Sequence, residues 1–109
     1  MAWLVCGDRV LASLEIPADR KGRARGLMGR DSFEGALLIR KCRSVHTFGM
    51  RFPIDVAFLD GEDRVVSVAT VVPKRVTAPR MSSRSVVEAR AGSFERWGLR
   101  IGDELEVRE

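Results

Sequence analysis

The run Ile54–Leu59 is the feature that most constrains the fold, because five of its six side chains are apolar and it follows directly on Pro53. Its length is that of a strand, and apolar side chains at almost every position are typical of a strand covered on both sides. Such a strand needs sheet neighbours and a packing layer on each side. The surrounding stretch Val45–Asp60 also contains the only histidine and one aspartate within the apolar run. We therefore expect Val45–Asp60 to form the centre of the fold.

Six further segments have the composition of strands and are separated by Gly, Pro and Asp turn signals. They are Ala2–Cys6, Val10–Ile16, Ala36–Ile39, Val65–Val72, Ser85–Arg90 and Glu104–Arg108. An extended Cys42–Met50 is also expected, paired with Ile54–Leu59 across a corner at residues 51–53. Most of the predicted sheet is therefore built from short strands joined by tight turns.

Two short helices complete the prediction. Asp19 is a suitable N-cap for a basic helix over Arg20–Arg25, which would end at Gly26. The second helix is predicted to begin at Gly92-Ser93, with Ser93 as its N-cap and Glu95 in its first turn, and to end at Gly98. The predicted fold class is α+β, mainly antiparallel β, with a barrel-like rolled sheet and two short helices in a single domain over residues 1–109.

The charge of the chain permits anionic partners without establishing one. Its 109 residues carry a net charge of +4 with a pI of about 9.8, and 16 of the 19 cations are arginine. A hydrophobic fraction of 45% with mixed charges argues against disorder. No secretory leader is recognisable and no run approaches the ~18 apolar residues of a membrane span, so we expect a cytoplasmic protein. Cys6 and Cys42 are accordingly expected to be free thiols.

A soft metal site is suggested by Cys42, His46 and Met50, which recur every four residues. Thiol, imidazole and thioether groups form the ligand set that suits copper. Residues four apart on an extended strand lie about 13 Å apart, too far to share one ion unless the chain bends. The sequence therefore predicts no metal site and no cofactor.

An undescribed enzyme is the first alternative function. The cations at positions 40, 41 and 43 would lower the pKa of Cys42 and favour a nucleophilic thiolate, with His46 as its base. Asp55 is the second candidate catalytic residue, and it too would act together with His46. The same Cys42 also suits a small buried thiol in a strand, and no third group that would orient His46 is visible in the sequence. Both interpretations remain open at this level.

A small binding module or accessory domain is the function that the sequence favours. Its ligand site is expected around Val45–Asp60, with the irregular segment Lys74–Arg84 across it, because long loops in compact domains often carry function. The candidate ligand-binding residues are His46, Phe48, Met50, Arg51, Asp55, Arg80 and Glu88. The expected partner is a small molecule or another protein.

Clustered cations provide a second alternative, weak binding of nucleic acid or another anion. The candidate anion-binding residues are Arg40, Lys41, Arg43, Lys74, Arg75 and Arg84. Attraction to phosphate needs only clustered cations. Nucleic acid is nevertheless not favoured, because exposed aromatic side chains do not interleave with these cations in the predicted structure.

Asp55 requires a partner wherever the strand is buried, because a buried charge must be paired or hydrogen-bonded. Alternation along the strand places Asp55 on the face opposite to Ile54, Val56 and Phe58. Arg51, or an arginine of residues 80–90, is the expected partner of its carboxylate.

Three blocks of the chain resemble the bacterial and archaeal family called domain of unknown function 192. They are GLMGR at residues 26–30, FGMRFPIDVAFLD at residues 48–60, and the C-terminal strand, helix and Gly-Asp turn at residues 87–103. The likeness extends in order over about residues 2–108. It implies a compact β-rich domain with small helices and no established activity. Gly49 departs from the family pattern, because many relatives carry Trp there.

Overall fold

The computed structural model describes residues 1–109 and contains seven strands and two helices, numbered here in chain order. The strands are β1 (Ala2–Cys6), β2 (Arg9–Glu15), β3 (Ala36–Arg40), β4 (Ile54–Leu59), β5 (Val65–Val71), β6 (Ser85–Arg90) and β7 (Leu105–Arg108). The helices are α1 (Arg20–Arg25) and α2 (Ser93–Trp97). Every predicted element is present with its bounds shifted by no more than about one residue, apart from the strand expected over residues 42–50.

All seven strands belong to one sheet, in the order β5-β4-β6-β3-β2-β1-β7. Neighbouring strands are antiparallel except β2 and β3, which are parallel. The α+β class with mainly antiparallel pairing is therefore confirmed. The sheet is more open than a barrel, because its edge strands β5 and β7 do not pair along their length. A single bridge between Arg64 and Glu104 joins the two edges at one end.

Strand β4 is buried at all six positions, as predicted for a strand covered on both sides. Because side chains alternate along it, β4 contributes to two apolar clusters on opposite faces of the sheet. One cluster contains Ala57 and Leu59 together with Phe94 of α2. The other contains Val56 together with Leu27, which follows α1. The sheet thus separates a face covered by α2 from a face covered by the segment around α1.

Residues 42–50 are the main departure from the prediction. They form no regular strand and do not pair with β4, which pairs with β5 and β6 instead. His46 makes one bridge to Val76, and the chain turns at Gly49, where φ is +79°. Backbone bonds go to the loop that follows β5; the Thr47 N–H, for example, donates to the Arg75 carbonyl at 2.8 Å. The segment therefore bends over the sheet instead of extending it.

The two helices are short and differ in how they begin. The Asp19 carboxylate caps α1 by accepting a hydrogen bond from the Gly22 N–H at 2.6 Å, and Gly26 ends the helix, as predicted. The prediction that Ser93 caps α2 is wrong, because Ser93 is already inside the helix and the N-cap is Gly92, which has no side chain. At six and five residues, neither helix has the length and apolar character that crossing a membrane requires.

Candidate functional site

A cavity of about 190 Å³ lies between the end of α1, strands β3 and β6, and the bent segment at residues 42–50. Its lining residues are Arg23, Ala24, Arg25, Gly26, Ile39, Cys42, Ser44, Val45, His46, Met50 and Glu88. Three of the predicted ligand-binding residues therefore meet in it: His46, Met50 and Glu88. The cavity is smaller than the ~300–1,000 Å³ pockets that hold drug-sized ligands, so it has room only for a molecule smaller than these.

Glu88 is the buried carboxyl of this cavity. It projects from β6, the strand between β3 and β4, and its exposed fraction is 1%. Burial raises the pKa of the carboxyl to about 7, although a hydrogen bond from the Leu27 backbone acts in the opposite direction. None of the six ion pairs in the structure involves Glu88. Near neutral pH this carboxyl can therefore either donate or accept a hydrogen bond.

Two buried side-chain polar atoms in the structure have no hydrogen-bond partner, Glu88 Oε1 and His46 Nδ1. Both belong to residues that line the cavity. Each unsatisfied buried group costs about 1–3 kcal/mol, and native proteins contain few of them. The His46 ring also stacks on Phe48, with the ring centroids 6.1 Å apart. Two residues that line one cavity therefore each carry a buried polar atom without a partner.

Cys42 is half-buried at the cavity wall, and its thiol is not activated. The thiol donates a hydrogen bond to the Ser44 carbonyl, with sulfur and oxygen 3.1 Å apart. Burial raises the pKa of the thiol, and the charge of Glu88 raises it further. The expectation that neighbouring cations lower this pKa is therefore wrong. Arg40, one of those cations, extends instead to Asp63, with nitrogen and oxygen 2.7 Å apart.

The bend also brings Cys42, His46 and Met50 to one cavity, although an extended strand would have kept them about 13 Å apart. They do not form a metal centre together with acidic residues. No group of three or more His, Cys, Asp or Glu side chains is positioned to hold a metal ion.

The end of α1 closes one side of the cavity. Gly26 has φ +52°, and a Cβ atom built on it would lie 2.9 Å from Glu88 Oε1. Glycine is therefore required both by the backbone conformation and by the close approach to the carboxyl. Arg23 and Arg25 contribute to the rim, but their guanidinium groups donate to backbone carbonyls at 3.2 and 3.3 Å. Neither guanidinium neutralises Glu88.

Four predicted ligand-binding residues lie outside the cavity, and three of them, Phe48, Arg51 and Arg80, are exposed at the surface. Phe48 is half exposed at the turn, and Arg51 pairs with Asp31 at the surface. Arg80 belongs to the loop Lys74–Arg84, none of whose residues line the cavity. The loop was expected to cross the site, but its backbone instead pairs with the bent segment.

Asp55 lies on the opposite face of the sheet, and the prediction of an arginine partner for it is wrong. Its carboxylate accepts hydrogen bonds from the Thr70 hydroxyl at 2.8 Å and from the backbone N–H groups of Gly92 and Phe94 at 3.0 and 3.1 Å. These donors satisfy the buried charge and tie α2 to β4. Because His46 lies on the other face, the two residues cannot act as a catalytic pair.

The predicted anion-binding residues divide into one paired cation and five unpaired ones. Arg40 is paired with Asp63, as described above. The five without a carboxylate partner are Lys41, Arg43, Lys74, Arg75 and Arg84, and all of them are exposed. They lie after β3 and in the loop that precedes β6, and none of them lines the Glu88 cavity, although Cys42 between Lys41 and Arg43 does.

The contribution of α1 to the site was not predicted. The sequence predicted a basic helix over Arg20–Arg25 without a role in the site, and the end of this helix forms a wall of the cavity over Glu88. A signal was present in the sequence, because Glu88 is the only acid in a strand whose other residues are mostly small or β-branched. Combined with Gly26 at a helix end, it could have indicated a close approach, but the sequence alone does not reveal which helix packs on which strand.

Two curated proteins are similar in sequence to this chain, and the two matches cover different shares of its length. It is 34% identical to a UPF0127 protein of Pyrococcus abyssi over 98 residues, which cover 85% of this chain and 84% of that protein. It is 39% identical to a UPF0127 protein of Pyrococcus horikoshii over 62 residues, which cover 57% of this chain and 54% of that protein.

Two solved structures share the fold. One is a protein of unknown function from Novosphingobium aromaticivorans, with a TM-score of 0.81 at 21% identity, covering 96% of this chain and 82% of that one. The other, from Sinorhizobium meliloti, has a TM-score of 0.81 at 24% identity and covers 97% and 91%. The family model for DUF192, described as Uncharacterized ACR, matches residues 5–107. The match over nearly the whole chain places it in this family: the protein belongs to DUF192.

Proposed function

We propose that this protein is a small-molecule binding module whose ligand occupies the cavity beside Glu88 and His46. One observation carries the proposal: the two buried polar side-chain atoms that lack a partner belong to residues that line the same cavity. A ligand that hydrogen-bonds to both atoms would relieve two unsatisfied groups at once, each worth about 1–3 kcal/mol.

The walls of the cavity restrict the ligand further. Ile39, Val45 and Met50 supply apolar surface, while the two polar atoms without a partner belong to Glu88 and His46. A volume of about 190 Å³ equals the liquid volume of roughly six water molecules at ~30 Å³ each. The ligand is therefore a compact molecule with an apolar part and at least two hydrogen-bonding groups. It must replace the hydrogen bonds of any water that it displaces.

The enzymatic alternatives receive less support from the geometry. Asp55 and His46 are separated by the sheet, and the Cys42 thiol has a raised pKa and donates to a backbone carbonyl. A thiol of this kind is a poor nucleophile. A cytoplasmic location remains part of the proposal and is supported by the two free cysteines.

Ligand-observed NMR tests the proposal directly. Mixtures of small polar metabolites, each with roughly ten or fewer non-hydrogen atoms, are screened against the protein, in keeping with a cavity below the usual drug-sized range. Methyl-labelled Ile39 and Met50 then report whether a hit occupies the cavity, because both side chains line it. We expect at least one hit that shifts both methyl signals.

Two variants and a matched control locate the binding. Glu88→Leu and His46→Leu each remove one orphaned polar group and should abolish the binding of a cavity ligand. Ser85→Ala is the control, because Ser85 is also buried on β6 but bonds to Arg40 and does not line the cavity. Hits that bind both cavity variants as well as they bind the wild type, or no hit that perturbs the cavity methyl groups, would contradict the proposal.

A further inference from the structure

Charge is distributed unevenly along this chain. Residues 35–54 and 64–87 contain nine of the 19 lysines and arginines and none of the 15 aspartates and glutamates. The remainder of the chain therefore has a net negative charge although the whole carries +4. Three of the nine cations, Arg40, Arg51 and Arg64, pair with acids from outside these stretches. Six cations are left without a carboxylate partner.

These six cations, here called the basic face, are Lys41, Arg43, Lys74, Arg75, Arg80 and Arg84. All six are exposed. Backbone hydrogen bonds hold the two segments that carry them side by side: the Arg80 N–H donates to the Arg43 carbonyl at 2.9 Å, and the Cys42 N–H donates to the Arg84 carbonyl at 3.2 Å. The two segments therefore bring their cations together on one surface.

The basic face is most concentrated at Ser83. Arg43 Nε and Arg84 Nη1 both donate to the Ser83 carbonyl, at 3.3 and 3.2 Å. Lys41 lines the same surface hollow as these two arginines. The two guanidinium groups share one carbonyl, the Lys41 ammonium lies beside them, and no acid is paired with them. These like charges repel one another. An anion placed in this hollow would offset that repulsion and could form charge-assisted hydrogen bonds to both arginines.

Exposed apolar side chains accompany the basic face. Val76 and Met81 are 64% and 71% exposed, and each directly follows an arginine of the loop. Phe48 is 51% exposed on the bent segment, whose backbone pairs with the same loop. Phosphate groups make no apolar contacts with these side chains. Arginine, methionine and aromatic residues together are instead the composition enriched at protein–protein interfaces.

We propose that the basic face binds an acidic segment of another protein in which carboxylates are interspersed with apolar side chains. Carboxylates of the segment would contact the hollow formed by Lys41, Arg43 and Arg84, and its apolar side chains would cover Val76 and Met81. Arginine matches carboxylates well, because its planar fork can bind both oxygens at once. None of the six cations lines the Glu88 cavity, so the inference does not depend on the proposed ligand.

Fluorescence anisotropy with defined probes tests the inference. The first probe is a labelled peptide of repeating Glu-Leu-Glu-Ser sequence, and the second replaces every Leu with Ser at the same charge. Oligothymidylate and vesicles of phosphatidylserine with phosphatidylcholine represent the other anionic partners. We expect the Glu-Leu peptide to bind at least about tenfold more tightly than the other three at about 200 mM salt, where purely ionic attraction is strongly reduced.

Two double variants separate the charged and apolar contributions. Arg75→Glu with Arg80→Glu reverses two cations of the basic face and should weaken binding of the Glu-Leu peptide by about tenfold or more. Val76→Ser with Met81→Ser leaves every charge in place and should lower the affinity to that of the Glu-Ser peptide. Both pairs lie in an exposed loop, and thermal unfolding confirms that each variant is folded.

A charge-matched control distinguishes a docking surface from net charge. Arg20→Glu with Arg100→Glu makes the same change in net charge outside the basic face and should leave peptide affinity within about twofold of wild type. The inference is overturned if this control weakens binding as much as the basic-face reversal does. It is equally overturned if oligothymidylate or vesicles bind as tightly as the Glu-Leu peptide, or if none of the probes binds.

Discussion

Replacement of Glu88 by glutamine should make the stability of this protein markedly less sensitive to pH. Burial raises the pKa of the folded-state carboxyl to about 7 from an ordinary value of 4.5. Between these two pH values the folded protein holds a proton that the unfolded chain has released. The contribution of Glu88 to stability is therefore fully present below about pH 4.5 and is lost as the pH rises through about 7. Glutamine resembles the protonated carboxyl in shape and never ionises.

The size of the effect follows from the shift in pKa. Each unit is worth about 1.4 kcal/mol, so a rise from 4.5 to about 7 corresponds to roughly 3 kcal/mol. Against a total free energy of unfolding of about 5–15 kcal/mol for a domain of this size, such a change is easily measured. Glu88 is almost fully buried, so solvent screening does not reduce this figure much.

Urea denaturation at a series of pH values from about 4 to 8.5 provides the assay, with tryptophan fluorescence as its signal. Trp97 packs on Phe94, with ring centroids 5.6 Å apart, and so reports loss of the packed core. Other ionisable groups are common to both proteins and cancel when the wild-type free energy is subtracted from that of Glu88→Gln. The difference should rise in favour of the variant by about 3 kcal/mol between pH 4.5 and 7 and then level off. A difference that stays flat, or falls, would refute the assignment of Glu88 as a buried carboxyl without a counter-charge.

Three further predictions concern other parts of the structure. Asp55→Asn should lower the free energy of unfolding by about 2–3 kcal/mol in a urea melt, because an amide cannot accept from all three donors; an unchanged midpoint would count against the observed bonding. Cys42 should be alkylated several-fold more slowly at about pH 8 than an unstructured thiol, and rapid alkylation would contradict this. The intact mass before reduction should show that Cys6 and Cys42 are both free thiols, whereas a loss of two mass units would indicate a disulfide. Gly26→Ala should cost about 1–3 kcal/mol in thermal unfolding, since it forces a left-handed φ on alanine and drives a methyl group toward Glu88. Wild-type stability would show that the helix end is not held against the carboxyl.

Local patterns predicted the seven strands and two helices, but they also predicted a strand over residues 42–50 that is absent, and they did not predict the contacts between distant segments. Alternation identified both faces of Ile54–Leu59 correctly, because the period of a strand is a local property. The bend at residues 42–50 depends on bonds such as that from the Thr47 N–H to the Arg75 carbonyl, 28 residues away. The partner of Asp55 was missed for a related reason. Its donors include two backbone N–H groups, and since nearly every residue carries one, the sequence does not distinguish them.

The hydrogen bonds at Asp55 also have a consequence for the order of folding. Helix α2 has five residues and begins after a glycine, so its own sequence supplies no side chain to hold its first amide groups. Short helices without such support are unstable in isolation. The missing acceptor is the Asp55 carboxylate of β4, which accepts hydrogen bonds from the N–H groups of Gly92 and Phe94, 37 and 39 residues later in the chain. Helix formation is thereby coupled to completion of the central sheet: we infer that a peptide spanning α2 is unstructured in water, and that α2 forms only after β4 and β6 have paired.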